Sequence, residues 1–347
     1  MRRANVNPIL VCNGAPRGPA LARLRAHAHR ILVRRNVGRD IGAYRAATLY
    51  LNEQQLPASR VLYFNDSVIY LAGPELDRMV RQLAEGEYPV IGTFENHEFE
   101  HHIGSYAFSI SAEVFGNRRM LKFWRAYRPY DVRPHAIHHG EIGLSRRMKK
   151  LGFNIDVIYS VDRLSAKLHA MDAVDILGLV KYMPMAWRSM FLDRTRQGPL
   201  GLGARLRGEF AARPPAPVQD KPRGLSTIGT VAPRPRGVVG ASETDSAQYA
   251  AAQQELSKLA LIDLLLGEIS VHSQVHSGFG VYHVLMGAPL VKKDLLQRGI
   301  WVEHDCSLIL SDMRPDLREA VMRQLINRGR PVHVRGIKRF MLHHGLE

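Results

Sequence analysis

A short apolar run that ends in three polar residues constrains the fold of this chain more than any other feature. Val61 to Phe64 is β-branched and aromatic, a composition typical of a buried strand. Asn65-Asp66-Ser67 follows at its carboxyl end. Because ligands of open α/β sheets bind outside the carboxyl ends of the strands, the pattern predicts a charged ligand or a metal ion beside Asp66.

Two glycines precede this strand and flank a charged pair. Gly38 and Gly42 surround Arg39-Asp40, and glycine permits a tight turn and a close approach of the backbone. The run from 43 to 53 then has helical composition. The segment therefore predicts a turn followed by a helix, with the charged pair in the turn.

Strands and helices alternate along the first half of the chain. The patterns predict strands at 9–13, 31–33, 61–64, 105–110 and 155–159, another beginning at 90, and helices at 20–29, 43–53, 74–84, 113–127 and 142–151. Such alternation predicts an α/β fold with a mixed, mostly parallel sheet and helices on both faces.

Composition divides the chain into four parts. Residues 1–165 carry the α/β pattern, and residues 166–196 predict a helical connector. Residues 197–247 are dominated by Pro, Gly, Arg and Ser, which predicts a flexible linker. Residues 248–347, with helical runs at 250–266, 276–294 and 314–326, predict a helical C-terminal region that packs on the first part.

The formal charge of the 347-residue chain is +16, which favours anionic partners. No recognisable nucleic-acid-binding module accompanies it, so we expect no specific nucleic-acid partner. We interpret the charge first as solvated surface and second as peripheral contact with an anionic membrane.

Two further features bear on the compartment. No apolar run reaches the roughly 18 residues that span a bilayer. Cys12 and Cys306 are too few for a disulfide framework or a four-ligand zinc site. We therefore expect a cytoplasmic protein, with attachment at the inner face of the membrane as the alternative.

Five motifs resemble, in family order, those of the rhamnan synthesis protein F family. They are Asn36-Val-Gly38-Arg39-Asp40-Ile-Gly42-Ala43-Tyr44, Asn65-Asp66-Ser67, Ser105-Tyr106, Phe123-Trp124 and Glu141-Ile-Gly-Leu-Ser145-Arg146. The resemblance covers most of residues 8–160 and resumes at 287–296. That family is associated with glycosyl transfer, often of rhamnose, in bacterial cell-surface polysaccharide synthesis.

The resemblance implies a GT-A-like glycosyltransferase domain in residues 1–165. It also implies a preceding strand and helix, of roughly fifty residues, that this chain lacks, so we expect the sheet to lack its first strand. A truncated, non-catalytic module that binds a glycan or a partner is the alternative to an enzyme.

The resemblance further implies a nucleotide-sugar donor and a polysaccharide or lipid-linked acceptor. Candidate donor-binding residues are Asn36, Gly38, Arg39, Asp40, Gly42, Tyr44, Asn65 and Arg146, and candidate acceptor-binding residues are His102, Ser105, Tyr106 and Trp124. Two alternatives stay open, an internal ion pair of Arg39 with Asp40 and a core position for Trp124.

Two carboxylates are the candidates for the chemistry that the resemblance implies. Asp66 would hold Mg²⁺ or Mn²⁺ against the diphosphate, although a single acid stands here instead of the common Asp-x-Asp pattern. Glu141 would be the general base of an inverting transfer, kept ionised by a helix that begins there. The alternatives are an Asp66 that caps a turn and a Glu141 that only favours a helix start.

Histidines cluster twice in this part of the chain, at His97, His101 and His102, and at His135, His138 and His139. Their spacing matches no zinc motif. We therefore expect exposed polar loop residues rather than a metal site.

Overall fold

The strands form where short apolar runs occur. In this computed structural model they are β1 (Ile9–Asn13), β2 (Arg30–Arg34), β3 (Arg60–Phe64), β4 (Val68–Tyr70), β5 (Val90–Gly92), β6 (Glu95–Asn96), β7 (His102–Ile103), β8 (Ala107–Ser111), β9 (Ile155–Val157) and β10 (Leu290–Lys292). The structure describes residues 6–185, 187–188, 243–271, 273–329, 337 and 341. The strand predicted at 61–64 is confirmed as β3.

The helices fill the intervals between the strands and most of the C-terminal region. They are α1 (Gly18–His27), α2 (Arg39–Glu53), α3 (Pro74–Glu85), α4 (Ala112–Gly116), α5 (Arg118–Ala126), α6 (Arg133–His135), α7 (Gly143–Lys150), α8 (Val161–His169), α9 (Ala173–Gly178), α10 (Glu243–Val271), α11 (Gln274–Ser277), α12 (Phe279–Met286), α13 (Glu303–Ile309) and α14 (Pro315–Asn327). A π-helical turn at Ala136–Ile142 joins α6 to α7.

One predicted helix, at 113–127, is two helices in the structure. Asn117 separates α4 from α5, and its side-chain oxygen accepts hydrogen bonds from the backbone N–H groups of Arg119 (2.9 Å) and Met120 (3.3 Å). Asparagine is a preferred N-cap because its side chain satisfies N–H groups that a helix leaves unpaired. The apolar period alone could not show this break.

The central sheet has four strands in the order β3-β8-β5-β9. The pairs β3–β8 and β8–β5 are antiparallel, and only β5–β9 is parallel. The sheet is therefore mixed, as predicted, but a mostly parallel arrangement is not confirmed. The reason is that β8 inserts between β3 and β5 and runs against both.

Alternate side chains of β3 enter two different apolar clusters, because successive side chains of a strand point to opposite faces. Tyr63 packs in a cluster with residues of α2, α5 and α7, including Ile41, Trp124 and Met148. Phe64 packs against the other cluster, which holds residues of α3, α8, α10 and α12. Helices thus cover both faces of the sheet.

The C-terminal region adds a strand to the first part of the chain. Within the run predicted to be helical at 276–294, β10 pairs antiparallel with β4, and Lys292 lies opposite Val68. An apolar cluster around Ile69, Val291 and Trp301 surrounds this pair. The region is mostly helical, as predicted, but its one described strand reaches the segment that follows Asp66.

Two sequence predictions concern segments at the limit of the described structure. Most of the linker predicted at 197–247 lies outside the described residues, and its last five residues belong to α10, which begins at Glu243. No helix among the described residues has both the length and the apolar character needed to cross a membrane.

Candidate functional site

The glycine-flanked charged pair lies in the first turn of α2 rather than in a loop before it. Gly38 is the N-cap, with a φ of +79°, and the helix begins at Arg39. A Cβ at Gly38 would lie 2.1 Å from the Cβ of Pro129, so no other residue fits without moving that loop. The Gly38 N–H and the Arg39 side chain both donate to Asp131.

The other residues of the motif at 36–44 are partly packed in the protein interior and partly exposed. A Cβ at Gly42 would lie 2.5 Å from the carbonyl oxygen of Val37, so this glycine also serves close packing. Tyr44 is buried, and its hydroxyl donates to the carbonyl oxygen of Ser105 at 2.7 Å. Asn36 is exposed in the preceding loop. The motif therefore builds the helix start and braces the segment that carries Ser105.

A hydrogen bond joins the start of α2 to the end of β3. The Asn65 amide donates to Oδ2 of Asp40 at 2.6 Å, and its oxygen accepts from the backbone N–H (3.1 Å) and hydroxyl (2.7 Å) of Ser67. Burial raises the pKa of Asp40, Glu141 and Asp66 add to this shift, and Lys292 opposes it. Three charged groups from distant parts of the sequence therefore act on Asp40 here.

Asp66 is exposed on the turn after β3. Asn65, rather than Asp66, accepts the hydrogen bond that closes this turn. Within the described parts of the chain, the only group of three potential metal ligands does not include Asp66. A single carboxylate nevertheless fits Mg²⁺, which is often held by one or two carboxylates together with substrate phosphates.

Glu141 faces two of the predicted acceptor-binding residues. Its Oε1 accepts a hydrogen bond of 2.7 Å from the Ser105 hydroxyl, and its Oε2 lies 3.7 Å from Nε2 of His102. His102 is buried, and its Nδ1 lies 2.7 Å from the carbonyl oxygen of Glu100. Because a carbonyl only accepts, Nδ1 donates this bond, and Nε2 is the ring atom that faces Glu141.

The prediction that Glu141 begins a helix is wrong. Glu141 lies in the π-helical turn between α6 and α7, inside a helical stretch that begins at Arg133. The helix dipole at an N-terminus therefore does not act on it. Gly140 lets this turn approach α2, since a Cβ there would lie 2.7 Å from Cγ1 of Ile41. Single π turns within helices often occur at functional sites.

Trp124 and Arg146, two of the predicted site residues, contact other parts of the structure instead of Glu141. Trp124 is 1% exposed and stacks with Tyr63 in the core, so it lines no open surface. It lies on the apolar face of α5, which explains the burial. Arg146 is exposed and forms an ion pair with Glu100. Arg146 lies five residues after Glu141, so the two side chains project from different sides of the helix.

Lys292 is a member of the site to which the sequence assigned no role. Its Nζ donates to the Ser67 hydroxyl at 2.9 Å and lies 4.7 Å from the ring centroid of Tyr106. Burial lowers the pKa of Lys292, whereas Asp294, Glu141 and Asp40 raise it. The only sequence signal was the resemblance that resumes at 287–296.

The first histidine cluster forms a hydrogen-bonded network on the β6–β7 hairpin. Potential ligand atoms of Glu95, His97 and His101 lie within 4.8 Å of one another. Nε2 of His101 lies 2.9 Å from the Glu95 carboxylate, and Lys149 contacts its Nδ1 at 2.6 Å. Both ring nitrogens of His101 are thus engaged. The expectation of exposed loop residues is wrong for His102, which is buried.

Comparisons with known proteins agree with the resemblance seen in the sequence. "Uncharacterized protein y4gN" of Sinorhizobium fredii (strain NBRC 101917 / NGR234) is 26% identical to this chain over 164 residues. The match covers 46% of this chain and 43% of that protein, so the chain spans less than half of that relative's length. No solved structure matches. The model of rhamnan synthesis protein F matches residues 9–197, more than half of the chain, and this protein therefore belongs to the rhamnan synthesis protein F family.

Proposed function

We propose that this protein is a glycosyltransferase that moves a sugar from a nucleotide diphosphate donor to a cell-surface polysaccharide or lipid-linked acceptor. Rhamnose is the first candidate for the sugar, because the family is named for rhamnan synthesis. The observation that carries the proposal is the contact of Glu141 with Ser105 and His102, in the same site as Asp40 and Asn65.

Glu141 is the proposed general base. In an inverting transfer, an acceptor oxygen forms a bond to the anomeric carbon as the bond from that carbon to the diphosphate breaks. The acceptor hydroxyl gives its proton to Glu141, which Ser105 holds by a hydrogen bond to the other carboxylate oxygen. General-base catalysis of this kind contributes about 10²–10⁴-fold to a rate.

Asp40 and Asn65 are the proposed contacts to the donor. Their mutual hydrogen bond fixes both side chains, so they are positioned before a ligand arrives. Lys292 and Arg39 stabilise the charged form of Asp40, which can accept hydrogen bonds from sugar hydroxyls. Burial acts in the opposite sense and is the larger influence on its pKa.

Asp66 is the proposed ligand of Mg²⁺ or Mn²⁺. A bound divalent ion would neutralise charge that develops on the departing diphosphate. The exposed position of Asp66 leaves room for a metal that is shared with the phosphates. We further propose a GT-A-like arrangement of this domain and peripheral contact of the basic chain with an anionic membrane at its cytoplasmic face.

Release of nucleoside diphosphate from a panel of nucleotide sugars tests this function. The full chain is incubated with each donor and a lipid or polysaccharide acceptor fraction, with MgCl₂, MnCl₂ or EDTA. We expect release with one donor class and its loss in Asp66→Asn, whereas Asp77→Asn, an exposed aspartate on α3, retains it. A protein that binds the acceptor but releases no nucleoside diphosphate would be a binding module and not an enzyme.

A further inference from the structure

We propose that Glu95, His97 and His101 form a binding site for one divalent transition-metal ion, for which Zn²⁺ is the first candidate. The three residues lie on the β6–β7 hairpin, and their ligand atoms lie within 4.8 Å of one another. Asp66, where Mg²⁺ or Mn²⁺ is proposed to bind with the donor, is not a member of this group. The site is therefore separate from the proposed glycosyl transfer.

The hairpin explains why residues without the spacing of a zinc motif lie together. β6 pairs antiparallel with β7, and Asn96 lies opposite His102. One residue further along each side, His97 lies opposite His101, and their ring centroids are 4.8 Å apart. Glu95 precedes His97 by two residues, and residues two apart share a face of a strand. The fold thus places all three ligands on one side of the hairpin.

The distances between the ligand atoms are close to those that a metal ion requires. Two ligands of a tetrahedral Zn²⁺ lie about 3.4 Å apart when each is about 2.1 Å from the ion. Oε2 of Glu95 lies 2.9 Å from Nε2 of His101 and 3.7 Å from Nε2 of His97. The ion would take the place of the hydrogen between Glu95 and His101, which would move apart by about 0.5 Å.

Two of the three ligands are held in position by other parts of the chain. Oε1 of Glu95 accepts a hydrogen bond of 2.8 Å from the backbone N–H of Val161. Lys149 donates to the carbonyl oxygen of His101 at 2.8 Å and contacts Nδ1 of its ring at 2.6 Å, which leaves Nε2 as the ligand atom. Contacts that orient a ligand from outside increase metal affinity. The side chain of His97 is 45% exposed, so it can rotate to complete the site.

The donor set favours a transition metal over Mg²⁺. Imidazole nitrogen suits Zn²⁺, whereas Mg²⁺ prefers oxygen ligands. Two histidines and one glutamate leave a fourth position of a tetrahedral ion open to water. A bound ion would link the two sides of the hairpin, and β7 begins at His102, which faces Glu141. The ion would therefore stabilise a segment that contributes to the candidate site.

Titration of the untagged full chain with ZnCl₂ tests the site. We expect one tightly bound ion per chain, a higher melting temperature when it is bound, and no competition from excess MgCl₂. Glu95→Gln, which keeps an oxygen for Val161, and His97→Gln should each weaken binding by more than about 10–100-fold, the loss caused by removing an outer partner of a ligand. His139→Gln, in the second histidine cluster, and Asp66→Asn are the controls and should bind like the parent.

Several results would overturn the site. One is a parent that binds no zinc ion, and another is parental binding by folded Glu95→Gln and His97→Gln proteins. Loss of binding in His139→Gln alone would assign the ion to the second histidine cluster. Because His97 is exposed, His97→Gln should fold, and it carries the test if Glu95→Gln does not. Zinc binding that follows these expectations in a chain without transfer activity would support the metal site while the transferase proposal fails.

Discussion

The Ser105 hydroxyl donates a hydrogen bond of 2.7 Å to Oε1 of Glu141, across 36 residues of sequence. Tyr44 in turn donates to the carbonyl oxygen of Ser105 at 2.7 Å. Helix α2, the segment before β8 and the π-helical turn are therefore linked by two successive hydrogen bonds. One carboxylate oxygen of Glu141 is fixed by these contacts, and the other faces His102.

Ser105→Ala should reduce transfer by about tenfold, because the lost hydrogen bond leaves the Glu141 carboxylate free to rotate. The measurement is kcat with the donor that the nucleotide-sugar panel identifies. Ser109→Ala is the control, since Ser109 is a buried serine that bonds Arg60 instead. Equal rates for Ser105→Ala and the parent would show that this contact does not position the base.

Gly140→Ala should disturb the approach of the π-helical turn to α2. The added Cβ would lie 2.7 Å from Cγ1 of Ile41, and overpacking of this kind costs about 1–3 kcal/mol. Gly116→Ala is the control, because a Cβ there meets nothing within 4 Å. Urea unfolding and kcat measure the two effects. A Gly140→Ala protein with parental stability and rate would argue against this close contact.

Local pattern was sufficient to predict strand β3, one of the elements on which the site is built. The apolar run at 61–64 is β3, and the polar residues at its end do lie in the site. The pattern could not show that α2 begins at Arg39, since Gly38 and Gly42 were interpreted as flanking a turn. It also could not show that the helix of Glu141 begins at Arg133 and passes through a π turn.

Contacts between distant parts of the chain explain why some site residues were predicted wrongly or not at all. Lys292 lies in a strand of only three residues. The Ser67 hydroxyl that accepts its hydrogen bond lies 225 residues earlier in the chain. No local period reveals such a pairing. A tryptophan side chain suits either a sugar-binding surface or a hydrophobic core, so the sequence left both alternatives open for Trp124. Packing in the folded chain buries it against Tyr63. The order of strands in the sheet is likewise a property of the whole fold.

Asp40→Asn should stabilise the fold at neutral pH and weaken donor binding. Burial raises the pKa of Asp40, so the folded chain holds this proton more tightly than the unfolded chain. Below pH 3.8, the ordinary pKa of an aspartate, Asp40 is protonated in both states and costs the fold no stability. This cost in unfolding free energy grows as the pH rises and is complete above the pKa of Asp40 in the folded chain. We expect a gain in the free energy of unfolding at pH 7 that shrinks toward pH 4. Urea unfolding at both pH values measures it, and a less stable variant at pH 7 would contradict the account.

His276 should make the stability of the C-terminal region depend on pH. Burial lowers its pKa to about 4, although Asp294 raises it. The unfolded chain binds this proton below about pH 6.5, so the free energy of unfolding should fall between pH 6.5 and 4, by at most about 3 kcal/mol. His276→Gln should flatten this part of the profile while retaining a donor to Asp294. A parallel decline in both proteins would assign the pH dependence to other groups.

The kinetic consequence of Glu141→Gln tests the central claim most directly. Glutamine keeps the size of the side chain and its contact with Ser105 but cannot take the acceptor proton. We expect kcat to fall by about 10²–10⁴-fold, with little change in the dissociation constant of the donor measured by titration. Glu113→Gln, on α4 and outside the site, should match the parent in both. Transfer by Glu141→Gln at the parental rate would show that Glu141 is not the base.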